Sequence, residues 1–129
     1  MRKILIVDDN PDILQVMQLL LGTRGFDIDV TTQGEETFSR IDSFQPDLVF
    51  LDIHLAGIDG RDICKQLKSS ENYTGLPVIL FSANQIKNSS IIESQADAFI
   101  SKPFDIVDLV DQINSLLPAK EDSESIMIA

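Results

Sequence analysis

The chain has 129 residues, 43% hydrophobic and 24% charged, which suits one globular domain with its own hydrophobic core. A formal net charge of -11 repels nucleic acid and anionic membrane, arguing against direct DNA or membrane binding and favouring cations and basic partners. A single cysteine, the lack of any apolar run of membrane-spanning length and a start, "MRKILIVDDN", that is too acidic for a signal peptide lead us to expect a soluble cytoplasmic domain.

Taken in chain order, the first apolar burst is "ILIV" at 4–7, followed at once by Asp8 and Asp9. "NPDILQVMQLLLGTRG" predicts a helix with Asn10 as N-cap, Pro11 at the first helical position and Gly22 or Gly25 near its end. "FDIDV" at 26–30 alternates, with Asp27 and Asp29 on one side, as in an edge strand. Phe38, Ile41 and Phe44 mark a second helix. "LVFL" at 48–51 reads as a buried strand that stops on Asp52, two positions before His54, the only histidine. Ile63, Cys64 and Leu67 mark a third helix, with Cys64 as a small buried hydrophobe. "VILF" at 78–81 runs into Ser82, and the fourth helix, around 86–93, has only Ile86, Ile91 and Ile92 to pack. "AFI" at 98–100 leads to Ser101, Lys102 and Pro103, before a last helix carrying Ile106, Leu109, Val110, Ile113 and Leu116. After Pro118, "AKEDSESIMIA" reads as a tail or linker, so a domain over 1–118 and a tail over 119–129 are expected.

Strands alternating with helices predict an α/β fold. Specifically, we expect a flavodoxin-like doubly wound five-stranded parallel sheet of order 2-1-3-4-5 with five helices. In such a sheet ligands bind beyond the carboxyl ends of the strands. That rim collects Asp8 and Asp9 from strand 1, Asp52 from strand 3, Ser82 from strand 4 and Lys102 after strand 5. Three carboxylates so close raise one another's pKa unless Lys102 or a bound cation relieves them. Oxygen ligands alone suit Mg²⁺ rather than zinc, and an aspartate can itself become an aspartyl phosphate. Plainer roles stand beside these: Asp8 and Asp9 as caps of helix 1, Ser82 as a cap of helix 4, Lys102 as a solvated lysine and Phe99 as core packing.

"ILIVDDNPDI", "PDLVFLDIHLAGIDG", "PVILFSA" and "DAFISKPF" resemble, in order and in register, the signatures of the response-regulator receiver domain, the CheY-like fold. The resemblance runs from about Lys3 to Leu117. It implies that Asp52 is the phosphoacceptor and that Asp8 and Asp9 hold Mg²⁺ together with Asp52 and the backbone carbonyl of His54. It further implies that Ser82 and Lys102 contact the phosphoryl group, that Phe99 is a switch residue and that the Lys102–Pro103 bond is cis. The side chain of His54 would flank the path of the hydrolytic water, and His54 and Asn84 would tune the lifetime of the phosphorylated state. The implied partners are a histidine kinase or histidine phosphotransfer protein, a downstream protein at the helix 4–strand 5–helix 5 face, and a second phosphorylated copy in a homodimer. Two positions depart from the family pattern: Ala56 stands where proline is usual, and Gln95 where glycine is common before strand 5.

Other classes fit less well. A phosphatase of the haloacid-dehalogenase type wants its two aspartates two apart after strand 1, whereas Asp8 and Asp9 are adjacent and no cap domain fits the length. A flavodoxin-type flavin carrier lacks its hydroxyl-rich phosphate loop here, and an inactive scaffold would not need every polar site residue to be present.

Overall fold

The computed structural model of the chain describes residues 2–117. The expected tail at 119–129 and its boundary at Pro118 lie outside them. Five strands form one sheet: β1 (Lys3–Val7), β2 (Asp27–Thr31), β3 (Leu48–Asp52), β4 (Val78–Ser82) and β5 (Ala98–Ser101). All pairings are parallel and the spatial order is β2-β1-β3-β4-β5, the doubly wound order expected from right-handed crossovers. The connecting helices are α1 (Pro11–Gly22), α2 (Thr37–Phe44), α3 (Gly60–Ser69), α4 (Asn88–Ser94) and α5 (Ile106–Leu116). A short antiparallel hairpin, His54–Leu55 against Ile58–Asp59, stands apart from the sheet just after β3.

Period-two alternation divides the core between the two faces. Ile4 and Ile6 of β1 pack with Leu14, Met17 and Leu21 of α1 and with Leu109 and Ile113 of α5. Leu5 and Val7 face the other way, toward Ile41 of α2 and Ile63, Cys64 and Leu67 of α3. All five residues of β3 are buried, and so are all five of β4, as continuous apolar central strands require. Cys64 is buried as expected, and that burial pushes its thiol up to about 11. β2 is only half-buried, and Asp29 on it receives an ion pair from Arg40 at 3.1 Å.

Local chemistry sets the helix ends. Asn10 caps α1 by accepting from the Asp12 N–H, with Pro11 at the first helical position, so the cap is Asn10 rather than Asp8 or Asp9. α4 is the least anchored helix, as its sparse pattern suggested: its one buried residue is Ser94, and Ile92 is 75% exposed. Its N-cap is Lys87, which gives no side-chain bond, so Ser82 does not cap it. The two departures from the family pattern both fall on left-handed backbone: Ala56 (φ 41) precedes Gly57 (φ 90) in the hairpin turn, and Gln95 (φ 66) ends α4. An L residue in that region gives up roughly 1–2 kcal/mol that glycine would not.

Candidate functional site

Register delivers the acids to one place. Val7 pairs with Leu51, so the next residues along, Asp8 and Asp52, leave the sheet side by side. Asp8 is fully buried and its backbone N–H donates to the Thr31 carbonyl. Asp9 is exposed, yet one carboxylate oxygen from each of Asp8, Asp9 and Asp52 lies within 4.8 Å of the others.

Lys102 reaches this cluster from beyond β5. Its Nζ donates to Asp8 Oδ2 at 2.8 Å and to Asp52 Oδ2 at 3.3 Å. The ammonium also sits 4.6 Å from the centre of the Phe81 ring, whose negative face favours a cation there. Phe81 is itself held edge-on between Phe50 and Phe104. The remaining oxygens are occupied as well: Asp8 Oδ1 accepts from the Asn10 N–H at 2.8 Å, and Asp52 Oδ1 from the His54 N–H at 3.2 Å. Burial pushes the Asp52 carboxyl above its ordinary value, and the neighbouring Asp8 carboxylate adds to this. The His54 N–H and Lys102 pull it back down.

Ser82 is buried at the end of β4, where its Oγ accepts from the Asn84 N–H at 3.1 Å and its carbonyl accepts from the Lys102 N–H at 2.9 Å. His54 Nε2 and Asn84 Nδ2 meet at 3.0 Å, which joins the hairpin to the loop after β4. The Lys102–Pro103 peptide is cis. Phe99 does not join the polar cluster. It is half-buried and packs on the same face of the sheet as Ile86 and Ala96.

The donor set also bears on a metal. Three carboxylate oxygens converge, a single ammonium faces them, and neither His54 nor Cys64 belongs to the group. Hard oxygen ligands of this kind fit Mg²⁺ and not a soft-ligand metal such as zinc.

Two residues essential to this geometry escaped the sequence reading. Gly60 opens α3 with its N–H donating to the Ile53 carbonyl at 2.8 Å, and a Cβ there would fall 2.1 Å from the Asp52 carbonyl oxygen. A glycine at a helical position is itself a signal of close backbone approach. Arg61 forks onto Asp59 and reaches Ser90 of α4. Nothing in the sequence links positions 29 apart on two different helices.

The comparisons with known proteins agree with this geometry. A family model described as the response regulator receiver domain matches residues 4–114. The DNA-binding response regulator MtrA of Mycolicibacterium smegmatis is 31% identical over 99% of this chain and 56% of its own length. The chain spans about half the length of the curated relatives it matches. Among solved structures, the response regulator TrrA of Thermotoga maritima, in complex with Mg²⁺ and BeF, is 31% identical with a TM-score of 0.82, covering 91% of this chain and 100% of that one. The BeF3-activated receiver domain of Klebsiella pneumoniae RstA is 28% identical with a TM-score of 0.83, covering 92% and 100% respectively. With fold, rim and family model in agreement, the chain belongs to the response regulator receiver domain family of two-component signalling.

Proposed function

We propose that Asp52 accepts a phosphoryl group from the phosphohistidine of a histidine kinase or histidine phosphotransfer protein, and that the chain later hydrolyses it. The observation that carries this reading is the meeting of Asp8, Asp9, Asp52 and Lys102 at one strand-end rim. An Asp52 carboxylate oxygen forms a bond to phosphorus as the bond from phosphorus to the donor imidazole nitrogen breaks, and the imidazole departs with its electron pair. Lys102, which hydrogen-bonds Asp52, would neutralise the transferring oxygens. Asp8, Asp9, Asp52 and the His54 carbonyl would hold Mg²⁺, which supplies further positive charge to those oxygens when bound. The buried Ser82 hydroxyl is the group on β4 that would turn to the new phosphoryl group, with Phe99 following as the switch residue.

The downstream face is proposed to be α4–β5–α5, read either by another protein or by a second phosphorylated copy. Direct nucleic-acid contact by this chain is disfavoured by its charge of -11, and none of the described helices is long and apolar enough to cross a membrane.

The test is labelling by a small-molecule phosphodonor with Mg²⁺. The native chain should take up one phosphoryl group, and Asp52→Asn should take up none; full labelling of Asp52→Asn would refute the assignment. A second expectation concerns the His54–Asn84 contact. His54→Ala and Asn84→Ala should each change the half-life of the phosphorylated chain severalfold while leaving its labelling intact, measured as decay after removal of the donor.

A further inference from the structure

α4 has little to hold it, with no buried hydrophobic residue and no side-chain cap at its start. Two side-chain contacts fasten the segment from the end of β4 through α4 to the hairpin beside Asp52 and to the first turn of α3 that follows it. One is the Asn84–His54 pair at the start of the segment. The other lies on the helix itself, where Arg61 Nη1 donates to Ser90 Oγ at 2.8 Å. The first lands on the hairpin's first strand, at His54; the second lands on Arg61 in the first turn of α3, which Asp59 on the hairpin's second strand holds.

The guanidinium is set for this before it meets Ser90. Its Nε donates to Asp59 Oδ1 at 2.9 Å and its Nη2 to Asp59 Oδ2 at 2.6 Å, while Asp59 Oδ1 also accepts the Arg61 backbone N–H and so caps α3. The Arg61 side-chain hydrogen bonds hold the Asp59 carboxyl below its ordinary value. Two nitrogens are thus fixed on one carboxylate, and the third is left facing α4. Lysine, a single flexible point charge, cannot reproduce that division.

We propose that Arg61 is a positioning residue which, through Ser90, fastens α4 to the hairpin beside Asp52 and restrains opening of the β4–α4 segment. One consequence rests on the receiver reading above. The hairpin and the segment carry His54 and Asn84, so loosening the fastening lets water reach the aspartyl phosphate more often. In that step a water oxygen bonds to phosphorus, the bond from phosphorus to the Asp52 oxygen breaks, and the carboxylate returns as inorganic phosphate leaves.

Hydrogen exchange of the unphosphorylated chain tests the fastening directly. Losing a part-exposed charged hydrogen bond should raise amide exchange across 88–94 by about fivefold in Ser90→Ala. Arg61→Gln should raise it at least as much, Arg61→Lys should not restore it, and Ser90→Thr, which keeps the hydroxyl, should. On the phosphorylated chain, Ser90→Ala should shorten the half-life about threefold without slowing labelling by a small donor, by the same reasoning. Native-like exchange in Ser90→Ala, or a threonine variant that behaves like alanine, would overturn the fastening. Raised exchange with an unchanged half-life would overturn its link to hydrolysis. If Asp52 takes no label at all, the receiver reading fails, while the exchange comparison still decides the role of Arg61.

Discussion

Gly60→Ala is expected to destabilise the chain by about 3 kcal/mol, at the upper end of what one inserted methyl group costs in a packed interior. The added Cβ would lie 2.1 Å from the Asp52 carbonyl oxygen, 2.9 Å from its carbonyl carbon and 3.1 Å from the Ile53 Cα. All three are backbone atoms of a buried central strand and its exit, so no flexible side chain can give way. Relief requires either α3 to back off, breaking the Gly60 N–H bond to Ile53, or Asp52 to move. Either movement disturbs the carboxylate that must meet Lys102, so labelling by a small phosphodonor should fall more than tenfold in whatever fraction stays folded. Gly22→Ala is the control, because nothing lies within 4 Å of a Cβ at that helical position. It should be neutral or raise stability by up to about 1 kcal/mol through helix propensity. Urea denaturation of the two variants makes the comparison, and equal midpoints would refute the steric argument.

Lys102→Met is expected to cost about 3 kcal/mol in Mg²⁺-free buffer, because removing one partner strands the other charges of a buried group. Asp8 has no exposed side-chain surface and Asp52 has 5%, so water cannot replace the ammonium they share. The same substitution removes a positive charge that competes with a metal for two of the three carboxylates, Asp8 and Asp52, so Mg²⁺ should bind more tightly than to the native chain. Added Mg²⁺ should therefore recover more stability in the variant than in the native chain, while phosphoryl uptake stays low. Denaturation midpoints with and without Mg²⁺ test this, and an identical Mg²⁺ increment in both proteins would count against the shared-charge picture.

Much of the fold was legible because central parallel strands advertise themselves. "ILIV", "LVFL" and "VILF" are too apolar to lie anywhere but the middle of a covered sheet, and each ends where a polar residue must face outward. Asp8, Asp52 and Ser82 were therefore readable as rim residues before any contact was known. The hairpin was not, since His54–Leu55 and Ile58–Asp59 are two-residue strands with no periodicity to detect. Nor was the load on Gly60, which comes from its distance to a backbone seven and eight residues away rather than from its own conformation. Ala56 and Gln95 were noticed as departures, but only the backbone reveals that each adopts the left-handed conformation that glycine takes freely. Ser82 misled in a smaller way. A hydroxyl ahead of a helix looks like a cap, yet α4 begins six residues later and the hydroxyl serves the intervening turn.

The parallel sheet also makes the site a late product of folding. No two neighbouring strands are joined by a tight turn, so every ladder closes a long loop: β1 meets β3 through Ile4 and Leu48, and the Lys102–Asp8 ion pair spans 94 positions. A chain emerging from synthesis has Asp8, Asp9 and Asp52 well before it has Lys102, and a chain cut short before β5 never completes the charge balance. On the proposed reading, a chain would be able to take a phosphoryl group only once β5 and Lys102 have joined the sheet.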